Sequence, residues 1–194
     1  MEYGSNTRVL LEMEYRDQGR FSDFHITDND ISLALWDGLI LSDVVFEKSN
    51  MQQMSMQSGN YCRTNFVKSD LRNSDLSHSF LEKVTFEQCS LIKVNVSHSH
   101  LSDCLFEKCS AESLDMCRSR IIKTRFSMNE LYRFNCQSSV IVNSEFTIDV
   151  NNSYWGLEKA MFNNSVLIDT LFHGVEYIPD LFHNSVLINC RFVN

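Results

Sequence analysis

The sequence predicts an all-β solenoid of about eight four-sided coils with one interruption, and two superimposed periodicities predict it. Every fifth residue from Phe21 to Phe146 gives 26 positions, and all 26 are apolar in a chain that is 43% apolar overall. Chance would produce such a run roughly once in 10^9 trials. Above this, Phe46, Phe66, Phe86, Phe106, Phe126 and Phe146 recur at every fourth pentad. A period of five fits neither the helix nor the strand. A coil of about 20 residues with four sides, each turning one large and one small side chain inward, satisfies both periods.

The elements follow in order. Residues 1–20 lack the pentad and mix apolar with charged side chains from Arg8 to Tyr15, which predicts an N-terminal cap, a short helix or strand, over the first coil. Residues 21–146 are the main solenoid. There the position two before each centre is mostly small or β-branched, as at Ala34, Val44, Ser49, Gly59, Thr64 and Ser69, with Leu39, Met54, Leu114, Asn129 and Phe134 as exceptions. Buried Ser and Thr are tolerable there only if their hydroxyls reach backbone carbonyls. Residues 147–159 break the register, because Asn151 and Gly156 fall where centres are due. A looped-out insertion and a single-residue bulge both fit the gap from Phe146 to Phe162. Loops leaving a regular scaffold often carry function, so the adjacent Tyr154 and Trp155 are candidate binding residues, with packing back over the coil as the alternative.

Residues 160–194 resume the pentad one residue out of phase, through Phe162, Leu167, Phe172, Tyr177, Phe182, Leu187 and Phe192. Phe162 and Phe182 therefore join the Phe46 to Phe146 series as the expected structural core. No capping helix is expected after Phe192, which leaves a partner, a second copy or further chain to cover that end.

The pentads Ser69-Asp70-Leu71-Arg72-Asn73, Ser74-Asp75-Leu76-Ser77-His78 and Cys104-Leu105-Phe106-Glu107-Lys108 resemble those of the pentapeptide-repeat family, and the resemblance extends over about 21–146 and 160–194. It implies a right-handed quadrilateral parallel β-helix with the central and small residues inward. The chain differs from the commonest form in preferring Ser to Ala at the small position. The polar, Ser/Asn-rich style is similar to that of secreted bacterial effectors. Other members of the family are acidic rods that protect bacterial topoisomerase II from quinolones, and several dimerise end to end through a C-terminal cap, so an end-to-end homodimer is a further implication.

Composition narrows the function. Seventeen basic against 25 acidic residues give a net charge of -8, which argues against direct, sequence-independent nucleic-acid binding. No apolar stretch reaches the length of a membrane span, and acids stand where a signal peptide has its apolar core, so the expected location is cytoplasmic, or a host cell reached without a cleaved signal peptide. The seven cysteines, Cys62, Cys89, Cys104, Cys109, Cys117, Cys136 and Cys190, contain no C-x-x-C pair, and Cys89, Cys104, Cys109 and Cys190 occupy small inward positions. Reduced, structural thiols are expected.

No phosphate loop, nucleophile elbow or H-E-x-x-H motif is present, so no catalytic residue, cofactor or metal is expected. Residues four pentads apart should stack, which puts His78, His98 and Arg118 in one column with His100 nearby. Two imidazoles without a carboxylate or thiol at matching spacing read as a polar ladder rather than a metal site. Lys48, Lys68 and Lys108 beside Glu47, Glu87 and Glu107, and the column Asp43, Arg63, Lys83, Asp103 and Lys123, mix signs as solvated surfaces do. The expected function is a noncatalytic scaffold that docks another protein, as a bacterial effector or its β-helix domain. The alternative is a DNA mimic that binds gyrase, against which the interleaved lysines weigh.

Overall fold

The backbone of each turn of chain is hydrogen-bonded to the turns above and below it. The computed structural model describes residues 2–3, 7–128, 131–148, 157, 159–174 and 178–193. Among these, two parallel sheets form adjacent sides of a solenoid of about eight coils. The first has ten strands, from Glu2–Tyr3 and His25–Thr27 through Val45–Glu47 to Arg191–Val193. The second has nine, from Arg20–Ser22 through Ile40–Ser42 to Val186–Ile188. The other two sides are joined by single parallel bridges, such as Asp30 to Asn50 and Leu35 to Ser55. Strands of three residues suffice because a neighbour on each side completes the ladder.

The register is the sequence period made visible. Phe46 lies opposite Phe66, and Leu101 opposite Ile121, four pentads further on. Met128 still faces Ile148 at that spacing, but Ile141 faces Leu167 and Phe146 faces Phe172, six positions beyond it. The four-pentad spacing then returns with Leu167 opposite Leu187. The bond from Ala160 N–H to Leu157 O repeats the one from Phe134 N–H to Leu131 O with the same surplus of six. The interruption is therefore an insertion of six residues between Ile148 and Leu157 rather than a single-residue bulge.

Corners cost conformational energy. The residue two after a centre has positive φ at nearly every corner, Met128 and Ile148 being strand residues instead, and 28 of these corner residues are not glycine. Left-handed backbone costs an L-residue about 1–2 kcal/mol, least for Asn and Asp. None of the 28 is β-branched, and the exposed Asp, Asn, Lys and Arg found there, such as Asp43 and Lys83, turn their side chains into solvent. Inter-coil bonds, for example Asp43 N–H to Cys62 O at 3.1 Å, hold the corner in place.

Inside, all 26 pentad centres from Phe21 to Phe146 are buried. The Phe46 column stacks in parallel at 4.6–5.3 Å through Phe146 and continues, across the insertion, through Phe172 and Phe192. Phe162 and Phe182 are buried too, but in a different column: they lie on the side of Met116 and Cys136, and Phe162 meets Phe146 edge-on at 5.6 Å. At two places the size of the small-position residue is matched to that of a centre. Phe134 takes a small position beside Cys136 at a centre, and its ring fills the space between Phe126, Phe146 and Phe162. Gly59 leaves room for the Tyr61 ring, whose hydroxyl donates to Met56 O.

Hydroxyls at the small position form a continuous ladder. Ser79, Ser99, Ser119 and Ser139 each accept the backbone N–H of the residue one coil earlier, at 3.0–3.2 Å. Each also donates to a carbonyl, as Ser139 does to Met116 O at 3.0 Å. The thiols of Cys89, Cys104 and Cys109 donate to the equivalent carbonyls of Phe66, Leu81 and Phe86. Burial pushes the Cys104 thiol up to about 11, so it is a packing group with little thiolate character.

At the N-terminal end, Arg8–Gln18 forms a helix that closes on Gly19 in the left-handed conformation. Leu11 and Tyr15, one turn apart, face the first coil: Leu11 is buried, and Tyr15 lies on Trp36 with its hydroxyl donating to Asp37 O at 2.9 Å.

Candidate interaction surface

Because the centre and small residue of each pentad point inward, a partner meets the residues flanking the centre and the corner residue. On the first sheet these are charge-balanced locally. Lys48 lies 3.3 Å from Glu47, Lys108 lies 3.4 Å from Glu107, and Arg125 lies 3.2 Å from Glu145. At the corner between the two sheets, Arg63 binds Asp43 through two bonds of 2.6 Å, and these hold the Asp43 carboxyl down to about 2. Lys83 lies 3.5 Å from Glu82. The mixed columns named from the sequence are thus laced by ion pairs, each of modest energetic weight at a surface.

The histidine column has a different character. His78 and His98 stack at 4.8 Å and 13°, and beside them Phe80 and His100 lie at 6.0 Å and 37°. These four rings make a two-by-two array across the edge where the fourth side turns into the second sheet, with Ser79 and Ser99 facing inward between them. Phe80 is 62% exposed. It borders a shallow depression of about 340 Å³ lined also by Asn60, Glu82, His100 and Ser102. Arg118 and Arg120 stand one coil further along the same two columns. Among the described residues, no three of His, Cys, Asp and Glu come together as metal ligands.

Beyond Arg120 the outward side of the second sheet is aliphatic. Ile122, Val140, Val142, Val166 and Ile168 half-bury one another, and Val186 and Ile188 are 52% and 45% exposed. Polar residues rim this strip, with Ser138, Asn164 and Asn184 along one corner and Asn143, Asp169 and Asn189 along the other. Weighing only inward positions misses it. The signal lies in the triplets Val140-Ile141-Val142, Val166-Leu167-Ile168 and Val186-Leu187-Ile188, whose flanks are apolar where other pentads have polar ones. Tyr154 and Trp155, the binding candidates from the sequence, lie outside the described residues, in the stretch that contains the insertion.

Four-sided coils, parallel one-coil registers and inward pentad centres define a parallel β-solenoid built from five-residue units. The family model for pentapeptide repeats matches residues 69–107, in eight copies. Similar solved structures include two trypsin-treated forms of QnrB1, a plasmid-mediated fluoroquinolone resistance protein. One is 15% identical with a TM-score of 0.52, covering 96% of this chain and 88% of that one. The other is 14% identical with a TM-score of 0.51, covering 96% and 90%. The pentapeptide-repeat protein Rfr23 from the cyanobacterium Cyanothece 51142 is 16% identical, with a TM-score of 0.46. That match covers 48% of this chain and 64% of Rfr23, so it spans less than two thirds of that protein. No curated protein sequence matches the chain. Residues 69–107 are thus pentapeptide repeats by the family model, and the chain as a whole has the parallel β-helix fold of the pentapeptide-repeat structures it resembles.

Proposed function

We propose that this protein is a noncatalytic scaffold that docks another protein through the outward side of its second sheet. The observation that carries this reading is the aliphatic strip from Ile122 to Ile188, a polar-rimmed apolar surface on a rigid face. Exposed apolar patches of this kind mark interaction sites, because monomers otherwise avoid them. The stacked core supports it by fixing the strip, since the outward residues flank an inward neighbour on the same three-residue strand, buried at Ile141 and Leu167 and half-buried at Leu187.

The test is affinity capture from a cell extract by the full chain, run beside V140D/V166D and a first-sheet control, E87K. The expected result is a protein retained by the unsubstituted chain and by E87K but lost with V140D/V166D, all three sharing one circular dichroism spectrum. Capture that V140D/V166D leaves unchanged, or no capture above background, would overturn the reading.

The gyrase-binding DNA mimic draws on the net charge of -8 and on the fold shared with QnrB1. The ion-paired lysines and arginines along the first sheet and at its corner with the second speak against it, because mimicry needs an unbroken negative stripe. A gyrase supercoiling assay separates the two readings: the scaffold reading expects no inhibition at micromolar protein.

A further inference from the structure

The edge between the fourth side and the second sheet is free of acid on a strongly acidic chain. Its corner column reads Gly38, Ser58, His78, His98, Arg118, Ser138, Asn164 and Asn184. Its strand column reads Arg20, Ile40, Asn60, Phe80, His100, Arg120, Val140, Val166 and Val186. Each of the other three edges carries carboxylates among the described residues, for example Asp43, Asp70 and Asp75. Arg63, Arg72 and Arg125 each bind a carboxylate, whereas Arg118 and Arg120, like Arg16, Arg20, Arg133 and Arg191, form no ion pair among the described residues; on this edge two such arginines stand together. Glu82, the acid next to Phe80 on its strand, is matched by Lys83.

Two unpaired guanidinium groups one coil beyond an array of four rings, three of them exposed and His100 half-buried, and before a run of valines, combine charge with apolar contact. Arginine and aromatic side chains are the usual anchors of protein interfaces. We propose that this edge binds an acidic segment of a partner protein in which carboxylates alternate with aliphatic or aromatic side chains. The carboxylates meet Arg118 and Arg120, and the apolar side chains lie against Phe80, His100 and Val140. This rests on the scaffold reading and adds the partner's chemistry. Single-stranded nucleic acid also combines negative charge with stacking groups, but its affinity grows with the number of phosphates neutralised, and this edge offers two adjacent arginines and then valines.

The test is an NMR titration of the labelled full chain with three probes: an acetylated, amidated octapeptide alternating Glu with Leu and Phe, the same peptide with Lys for Glu, and an eight-nucleotide oligothymidylate. The acidic peptide is expected to give saturable shifts confined to His78, Phe80, His98, His100, Arg118, Arg120 and Val140. R118E/R120E should weaken its binding by about tenfold or more, F80S by about fivefold, and K93E, on a different corner, not at all. Unchanged amide shifts away from the edge verify that the variants are folded. No saturable shift at millimolar acidic peptide, equal binding of the lysine peptide, or tighter binding of oligothymidylate would overturn the proposal. Shifts centred on another face would overturn it too while leaving the scaffold reading standing.

Discussion

Gly59 stands where the neighbouring coils carry Ser79, Ser99 and Ser119, and the Tyr61 ring explains the difference. A Cβ at position 59 would overlap the Tyr61 hydroxyl and ring carbons, and the fully buried ring has nowhere to go. G59A should therefore destabilise the fold by about 1–3 kcal/mol through overpacking, read as a lower urea midpoint. In a Y61L background the same substitution should be close to neutral, since the obstructing ring is gone. Tyr61 also leaves a mark on the pH dependence. Burial pushes its phenol well above the ordinary range. The unfolded chain releases that proton near pH 10 and the folded chain retains it, so this contribution is intact below about pH 10 and falls as pH rises above it. Urea midpoints from pH 8 to 11 should drop less steeply above pH 10 in Y61F than in the unsubstituted chain. Burial raises the Cys136 thiol in the same sense, so part of the fall starts earlier, near about pH 8.5, and persists in Y61F.

Between the residue and the molecule lies the hydroxyl ladder, which turns a column of buried polar groups into inter-coil bonds. Ser119 accepts the Ser99 N–H at 3.1 Å and donates to Val96 O at 3.1 Å. S119A removes the acceptor and should cost about 1–3 kcal/mol, with hydrogen exchange accelerated first at the Ser99 amide. Uniform acceleration along the column would contradict a local bond. The need for such bonds is legible in the sequence, because a small polar residue recurring at an inward position has no other stable arrangement. The pentad centres are equally legible, since burial of a large apolar side chain is a one-residue property that repeats. What the sequence hides depends on pairing between residues far apart. The exchange of size between Phe134 and Cys136 looks like two separate violations until both are placed beside Phe146 and Phe162. The aliphatic strip is invisible while only inward positions are scored, and the unpaired state of Arg118 and Arg120 requires knowing which columns hold acids.

At the scale of the whole molecule, the two blocks of pentads form one scaffold. The Phe column and both sheets pass the insertion without a gap, because the strands on either side of it pair directly, Ile141 opposite Leu167 and Phe146 opposite Phe172. The interaction surface depends on that continuity, since Val140 and Val142 lie before the insertion and Val166 and Ile168 after it. The most direct test is nuclear Overhauser contact across the junction in labelled protein. Contacts are predicted between the rings of Phe146 and Phe172, 5.0 Å apart, and between the backbones of Val140 and Val166. Their absence, alongside clear contacts between Phe126 and Phe146 at 4.6 Å, would contradict a single continuous solenoid.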